Sequence, residues 1–369
     1  MNLLLTLAGV AIVLVTTADV FFTVLFPASR HGPVRKPLSS AVWLLFRLGG
    51  GLLHGRRRRN FLSYSGPVVI SATLLGWFLL LNAGFALIFK PALGTAILAG
   101  SGPTETSWAA AFYYSGFNIT TLGVGDLKPE ADAYRLLTVA AAALGFAYFS
   151  MSITYFLSVY SHLTGRNAFA QGLHHLTGRS GDAAALIARF AGSGTLDDAR
   201  QHVSAKADFL RQIHQSHMFY PVLRYFHYRD PSYALPRILL IALDTAALIR
   251  SALDPHRYRR LLHSTGIAEL IEAADDLLTG LTSDNKAHLP AAAEAADWHR
   301  RFDEAWALLK DAGLCLRADQ AAAARMYVAE RARWNQPLRA LADFMLYEWA
   351  TIEHERSQDT ASPGGTKVE

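Results

Sequence analysis

Three long apolar stretches constrain this chain more than any other feature of its sequence. Residues 3–26, 68–89 and 136–159 contain 24, 22 and 24 mostly apolar residues. A helix needs about 20 such residues to cross the hydrocarbon core of a bilayer. The sequence therefore predicts three transmembrane helices. A signal peptide is the alternative for residues 3–26, but this stretch lacks a basic n-region and its apolar part is too long.

The distribution of basic residues predicts the orientation. Residues 28–63 contain eight Lys or Arg residues and no acidic residue, so the positive-inside rule places them in the cytoplasm of a cell membrane. The N-terminus is then outside and the C-terminal half is cytoplasmic. The apolar segment 41–53 is too short to span and is expected to be an interfacial helix. The arginine run 56–59 is expected to be a stop signal that contacts lipid headgroups, with a specific lipid site as the alternative.

One heptapeptide is the most specific motif in the chain. Backbone carbonyls on a nearly straight strand can replace the water shell of a dehydrated cation. Turning successive carbonyls to the same side forces some residues into the left-handed region, which glycine enters at little steric cost. Alternating glycines are therefore expected in a strand that binds cations. The motif has this pattern and consists of Thr120, Thr121, Leu122, Gly123, Val124, Gly125 and Asp126.

The residues before this motif indicate where it lies. Residues 107–119 form an apolar stretch of helical length that is too short to cross a bilayer, and Thr106 or Ser107 is available as its N-cap. Such a stretch suits a re-entrant pore helix. The negative end of its helix dipole would face the centre of the membrane and favour a cation there. Irregular backbone at that depth is tolerated only when protein buries it or when it lines a water-filled cavity.

The order of helix, pore helix, filter and inner helix resembles the potassium-channel pore family, whose filter is close to Thr-Val-Gly-Tyr-Gly-Asp. The resemblance covers roughly residues 66–160. It implies a filter in which residues 121–125 bind potassium as the permeant ion, with no other cofactor. It also implies a homotetramer, because one chain supplies only a quarter of each carbonyl ring.

The resemblance also assigns roles to residues around the filter. Tyr113 and Tyr114 fall where the family places an aromatic pair that braces the filter, and Gly145 lies at the position of its gating hinge. Close helix packing is the alternative role for this glycine. Thr120 and Asp126 flank the filter and are expected to support it. Val124 replaces the usual aromatic residue, which leaves the strictness of potassium over sodium selectivity open.

The C-terminal half is expected to be a helical cytoplasmic domain. Its predicted helices are residues 195–228, with Thr195 and Asp198 as a capping box, 236–253, 255–280, 290–312 and 318–355. The apolar segment 238–249 is short and surrounds Asp244, so a buried core helix is expected rather than a further span. The predicted organisation is an N-terminal helix with a basic segment at 1–65, a pore module at 66–166, the helical domain at 167–356 and a disordered tail at 357–369.

Charge and motif content exclude several classes of function. Residues 1–166 hold 12 of the 35 basic and 5 of the 30 acidic residues, so the C-terminal half is slightly acidic and nucleic-acid binding is not expected. That half has no Gly-X-Gly-X-X-Gly turn, and no span carries the regular arginines of a voltage sensor. No arrangement of nucleophile and base indicates an enzyme. Cys315 is the only cysteine, which excludes an intrachain disulfide, and a partly buried thiol is expected.

Two polar features inside helices have alternative explanations. Asp19 lies within the first span, where a carboxylate is costly. It is either a proton or cation site or a hydrogen-bonding partner of Thr16, Thr17 or a neighbouring span. His214 and His217 are three residues apart, which could hold zinc, but ordinary packing is the stronger expectation because no third ligand is evident.

Together these features predict an all-α membrane protein with three transmembrane helices, a re-entrant pore helix with its filter, and an all-helical cytoplasmic domain. The expected function is passive conduction through a tetrameric potassium-selective or potassium-preferring channel, with membrane lipids around it. The cytoplasmic domain is expected to gate the pore in response to an unidentified ligand or protein. The alternatives are a weakly selective monovalent cation channel and a non-conducting membrane-anchored sensor or scaffold.

Overall fold

A computed structural model describes residues 2–26, 32–192, 196–282 and 292–353. The chain divides into two compact units. The first comprises Met1–His162 and His217–Phe226, and the second comprises Leu163–Ser216 and His227–Glu369. The helices that begin in the first unit are α1 (Asn2–Val24), α2 (Arg35–Gly51), α3 (Gly55–Leu62), α4 (Ser65–Phe89), α5 (Trp108–Ile119) and α6 (Asp132–Leu176).

The chain is an all-α membrane protein. Among the described residues, three helical stretches are long and apolar enough to cross a membrane. They are α1, the stretch Gly55–Ala92 that contains α4, and α6. All three positions predicted from the apolar runs are therefore confirmed as long apolar helices. Residues 41–51 of the segment predicted to be an interfacial helix lie in α2, and residues 52 and 53 follow its end.

Asp19 joins three helices of the first unit. Its side chain is fully buried on α1, which packs against α4. One carboxylate oxygen accepts a hydrogen bond from the indole Nε1 of Trp77 on α4 at 2.6 Å. The other accepts from the backbone N–H of Val34, just before α2, at 2.9 Å. The structure therefore favours the hydrogen bond to a neighbouring span over a free ion site.

Two short antiparallel strands flank the pore segment and were not expected from the sequence. They are β1 (Ile97–Ala99) and β2 (Leu127–Pro129), and their register pairs Ile97 with Pro129 and Ala99 with Leu127. Each strand has only three residues, too few to show an alternating pattern in the sequence. The pairing closes the loop that contains α5 and the filter motif.

The second unit packs its helices around α9, which is almost wholly buried, as expected for the segment around Asp244. The Asp244 carboxylate accepts from Tyr327 at 2.7 Å and pairs with Arg331 at 3.2 Å and Arg301 at 3.4 Å. These partners compensate the buried charge. The remaining helices are α7 (Ala183–Gly192), α8 (Leu196–Phe219), α9 (Leu235–Ala252), α10 (Arg259–Leu262), α11 (Thr265–Leu281), α12 (Ala292–Asp311), α13 (Gln320–Phe344) and α14 (Trp349–Glu353).

Three predicted helices of the C-terminal half were too long. α8 ends at Phe219, because Pro221 disfavours a helical residue before it and cannot donate to the helix. The predicted helix 255–280 is divided into α10 and α11. The predicted helix 318–355 is interrupted after α13, where Leu346 has a positive φ of 62°. Thr195 and the tail 357–369 lie outside the described residues, so the capping box and the disorder of the tail stay predictions.

The compact units differ from the predicted domains in two respects. The first unit ends at His162 and not at residue 166, and it also contains His217–Phe226, which begins in the last turn of α8. Residues 221–225 form a short 3₁₀ helix that packs against α4. Cys315 is exposed, which corrects the expectation of a partly buried thiol.

Candidate functional site

The site is built on α5, which begins one residue after the predicted start. Ser107 is its N-cap, and the Ser107 hydroxyl accepts from the backbone N–H of Ala110 at 3.1 Å. The 12 residues of α5 extend about 18 Å, well short of a hydrocarbon core of about 30 Å. A helix of this length enters a membrane without crossing it. Its C-terminal end delivers the chain to the heptapeptide.

The heptapeptide begins with a tight turn against the end of α5. The backbone N–H of Thr121 donates to the Asn118 carbonyl at 3.0 Å, and that of Leu122 donates to the Phe117 carbonyl at 2.9 Å. The Thr120 hydroxyl donates to the Gly116 carbonyl at 2.8 Å. These bonds fix where the following strand leaves the helix.

Residues 121–125, an extended segment outside β1 and β2, have an alternating backbone conformation. Thr121, Gly123 and Gly125 have positive φ values of 57°, 62° and 81°, whereas Leu122 and Val124 do not. The left-handed conformation expected of the two glycines is therefore confirmed. Thr121 shares it, and a β-branched residue in this region is strained. Such alternation turns neighbouring carbonyls toward a common side, the geometry that a cation-binding carbonyl ladder requires.

The whole heptapeptide is exposed on a single chain. Leu122 is 71% exposed and Val124 is 49% exposed. A Cβ atom added to Gly123 would meet nothing within 4 Å. A cleft of about 600 Å³ opens beside the strand and is lined in part by Tyr113 and Asp126. Because irregular backbone is not tolerated against lipid, this surface requires cover from protein or a water-filled cavity.

The two tyrosines expected to brace the filter point to different neighbours. Tyr113 is half-exposed, and its phenol lies beside the Asp126 carboxylate at the end of the heptapeptide. Tyr114 is fully buried, and its hydroxyl hydrogen-bonds that of Thr138 on α6 at 2.8 Å. The Tyr114 ring also meets that of Phe89 edge to face at 4.9 Å. Tyr114 thus connects α5 to α4 and α6, and it reaches the heptapeptide only through α5.

Asp126 anchors the far end of the heptapeptide. Its backbone carbonyl accepts from the N–H of Gly100 at 2.8 Å, next to the β1 and β2 pair. Its side chain accepts from the N–H of Leu127 at 2.9 Å. Beyond β2, the Arg135 guanidinium pairs with Asp132 at 3.1 Å, so these two charges partly cancel. The contribution of Gly100 has no signal in the sequence, because its partner lies 26 positions away.

Gly145 lies where α6 meets the end of α5. A Cβ atom at this position would be 1.9 Å from the carbonyl oxygen of Ile119 and 2.8 Å from its Cα. This contact supports close helix packing, the alternative role of Gly145 that the sequence left open. The hinge role of Gly145 stays a prediction.

The histidines singled out in the sequence lie apart from the pore segment in sequence. Within the described ranges, no group of three or more His, Cys, Asp or Glu residues is arranged to hold a metal ion. His214 lies against Gly280, where an added Cβ would be 3.1 Å from the imidazole. His217 is buried. Packing explains the first of these histidines, and burial is compatible with packing for the second.

Comparison with known proteins agrees with this geometry. Residues 72–162 match a family model described as an ion channel. An uncharacterized membrane protein, YdjJ, of Bacillus subtilis (strain 168) is 26% identical over 254 residues, which are 69% of this chain and 71% of the relative. That similarity extends beyond the matched pore segment. No solved structure matches the chain. Residues 72–162, which contain α5, the heptapeptide and most of α4, are therefore similar to an ion-channel family.

Proposed function

We propose that four copies of this chain form a potassium-selective or potassium-preferring channel. The observation that supports this most directly is the alternation of left-handed residues at positions 121, 123 and 125. Four such strands around one axis would supply successive rings of carbonyl oxygens at residues 121–125. Conduction through these rings is passive and needs no cofactor other than the permeant ion.

The surface of a single chain supports the tetramer. The strand at the filter is exposed, although backbone of this kind needs protein or water around it. α6 also exposes large apolar side chains along its membrane-spanning part, among them Leu136, Val139, Phe146 and Phe149. A fourfold assembly would cover part of this surface and leave the rest to lipid. The homotetramer thus accounts for both exposed surfaces.

The proposed orientation places the N-terminus outside and the second unit in the cytoplasm of a cell membrane. The argument is the concentration of positive charge between the first two spans, where eight basic residues occur without an acidic one. The pore helix then enters from the outside. The cytoplasmic unit gates the pore under the control of a ligand or protein that recognises it.

A weakly selective cation channel is the second candidate, because of Val124. This residue is 49% exposed and has no polar group to fix the filter against a smaller ion. Reversal potentials of the reconstituted protein in asymmetric potassium and sodium separate the two candidates. A potassium preference of less than about threefold would favour the weakly selective channel.

Rubidium uptake into proteoliposomes tests the filter itself. We expect Gly123→Ala and Gly125→Ala to lower uptake at least tenfold while the tetramer still assembles, because a left-handed conformation costs alanine about 1 to 2 kcal/mol. Gly102→Ala is the matched control. Gly102 also has a positive φ, 76°, and an open Cβ position, but it lies in the turn before α5. Wild-type uptake by both filter variants would contradict the proposal.

A further inference from the structure

The segment His217–Phe226 belongs to the first unit and lies at the end where α2 and α4 begin. The Ser65 hydroxyl at the start of α4 donates to the Tyr225 carbonyl at 2.6 Å. The Tyr225 ring lies 5.3 Å from that of Trp43 on α2. The Phe226 ring packs directly on Gly66. The 3₁₀ helix in this segment is therefore held against the same end of the spans that carries the basic residues.

Two arginines belong to the elements that meet at this end, one to α2 and one to the 3₁₀ helix. Arg35 is the first residue of α2 and is only 7% exposed. Arg224 belongs to the 3₁₀ helix, and its Nε atom is buried without a hydrogen-bond partner. Burial, together with the nearby positive charge of Arg35, lowers the pKa of Arg224. The two guanidinium groups therefore act on each other electrostatically, and neither is well solvated.

No acidic group of the described residues forms an ion pair with either arginine. The groups that interact electrostatically with Arg224 are Arg35 and the phenol of Tyr225, and Arg35 itself lies beside the hydroxyl of Tyr155. Asp19 lies next to this region, because it accepts from the Val34 N–H and from Trp77, but it forms no ion pair with either arginine within the described residues. A pair of buried like charges is costly unless an anion compensates it.

The surroundings indicate which anion fits. The paired N–H donors of a guanidinium group match the oxygens of a phosphate group better than they match a monatomic anion. Aromatic rings lie on the Arg35 side, since Tyr155 lies beside Arg35 and its ring is 5.9 Å from that of Tyr220. Aromatic side chains with a polar end are typical of the interface between membrane and water. The leaflet on the basic side of a membrane protein is also the one rich in anionic lipids.

We propose that Arg35 and Arg224 together bind one phosphate group, supplied either by the headgroup of an anionic phospholipid or by free phosphate. The Tyr155 hydroxyl orients the Arg35 side chain. This site differs from the arginine run 56–59, in which Arg56, Arg57 and Arg59 are exposed and where headgroup contact requires no fixed geometry. The proposal does not depend on conduction, because binding is measured without ion flux.

Native mass spectrometry of the full-length, delipidated protein tests the lipid site. Phosphatidylglycerol is titrated against the parent, Arg35→Gln, Arg224→Gln and Arg57→Gln, and bound lipids are counted. We expect each of the first two changes to weaken the tightest binding about tenfold, the effect of losing one charge-assisted hydrogen bond. Arg57 is exposed on α3 and is the matched control, expected to stay within about twofold. Phosphatidylcholine should bind equally to all four proteins.

A second arm separates lipid from free phosphate. If free phosphate is the ligand, inorganic phosphate alone raises the melting temperature of the parent and of Arg57→Gln, but not that of Arg224→Gln. If the lipid is the ligand, only phosphatidylglycerol does so. In lipid-free detergent we expect Arg224→Gln to melt no lower than the parent, because the change removes a repulsive charge.

Two results would overturn the proposal. One is parental affinity for both phosphatidylglycerol and phosphate in folded Arg35→Gln and Arg224→Gln proteins. The other is an equal loss of lipid binding in Arg57→Gln, which would show that lipid binding depends on total positive charge and not on a specific site. Arg224→Lys is the control for misfolding, because it keeps the positive charge and loses only the paired N–H donors of the guanidinium group. This variant should bind phosphatidylglycerol with intermediate affinity.

Discussion

Replacing Gly145 by alanine tests whether the contact between α6 and α5 positions the filter. The added Cβ would lie 1.9 Å from the Ile119 carbonyl oxygen. An ordinary contact between carbon and oxygen is about 3.3 Å, so the two backbones must separate by roughly 1.4 Å. The contact involves backbone and not a flexible side chain, so a rotamer change cannot relieve it. The turn that leads into the filter begins at the next residue, Thr120.

The free-energy change has two opposing parts. Overpacking costs about 1 to 3 kcal/mol, while exchanging glycine for alanine inside a helix gains about 1 kcal/mol. We therefore expect a net loss of up to about 2 kcal/mol per chain. Gly172→Ala is the matched control on the same helix, because its Cβ would meet nothing within 4 Å. That change should give only the gain.

Thermal unfolding in detergent and rubidium uptake measure the two consequences. We expect Gly145→Ala to melt below the parent and to lose most of its uptake, and Gly172→Ala to melt at or above the parent with unchanged uptake. A hinge without the packing role would instead change the open probability and leave the melting temperature unaltered. A Gly145→Ala protein that unfolds like Gly172→Ala would refute the structural argument.

Three further changes have defined outcomes. Asp19→Ala leaves the Trp77 indole N–H and a backbone N–H unpaired, so we expect a loss of about 2 kcal/mol or more in unfolding experiments, with an unchanged reversal potential; a parental melting temperature would contradict this. Burial lowers the pKa of Lys206 to about 8, below the unfolded value near 10.5, so the unfolded chain binds more protons between these pH values. Stability should therefore rise by about 1 kcal/mol from pH 7 to pH 9 in denaturant titrations; Lys206→Met should abolish this rise, and exposed Lys310→Met should not. Val124→Tyr should increase the potassium preference measured from reversal potentials, and no change would mean that valine is already supported in another way.

The elements fixed by local or one-dimensional rules could be predicted from the sequence. The spans follow from the length of apolar runs against the thickness of a bilayer. The end of α5 at Ile119 and a cap at Thr106 or Ser107 follow from a short run bounded by capping residues, and the structure uses Ser107. The left-handed glycines at 123 and 125 follow from the steric freedom of that residue type.

Features that depend on distant partners could not be predicted in this way. The interruption near Leu346 and the division after α10 arise from packing in the second unit, which overrides a continuous helical pattern. The strand pair around the pore loop joins Ala99 to Leu127, and nothing local specifies that partner. The left-handed Thr121 is held by the turn at the end of α5, against the preference of a β-branched residue.

The sequence by itself determined that this chain has three helices long and apolar enough to cross a membrane and left-handed glycines at 123 and 125, because hydrophobic length and backbone freedom are properties of consecutive residues. Only the tertiary structure decided what the isolated polar and small residues do. Asp19 bonds to Trp77, Gly145 admits the backbone of Ile119, and Arg224 returns to the membrane unit beside Arg35. Each of these roles depends on which atoms meet across 26 or more residues of chain, and that is set by packing of the folded molecule.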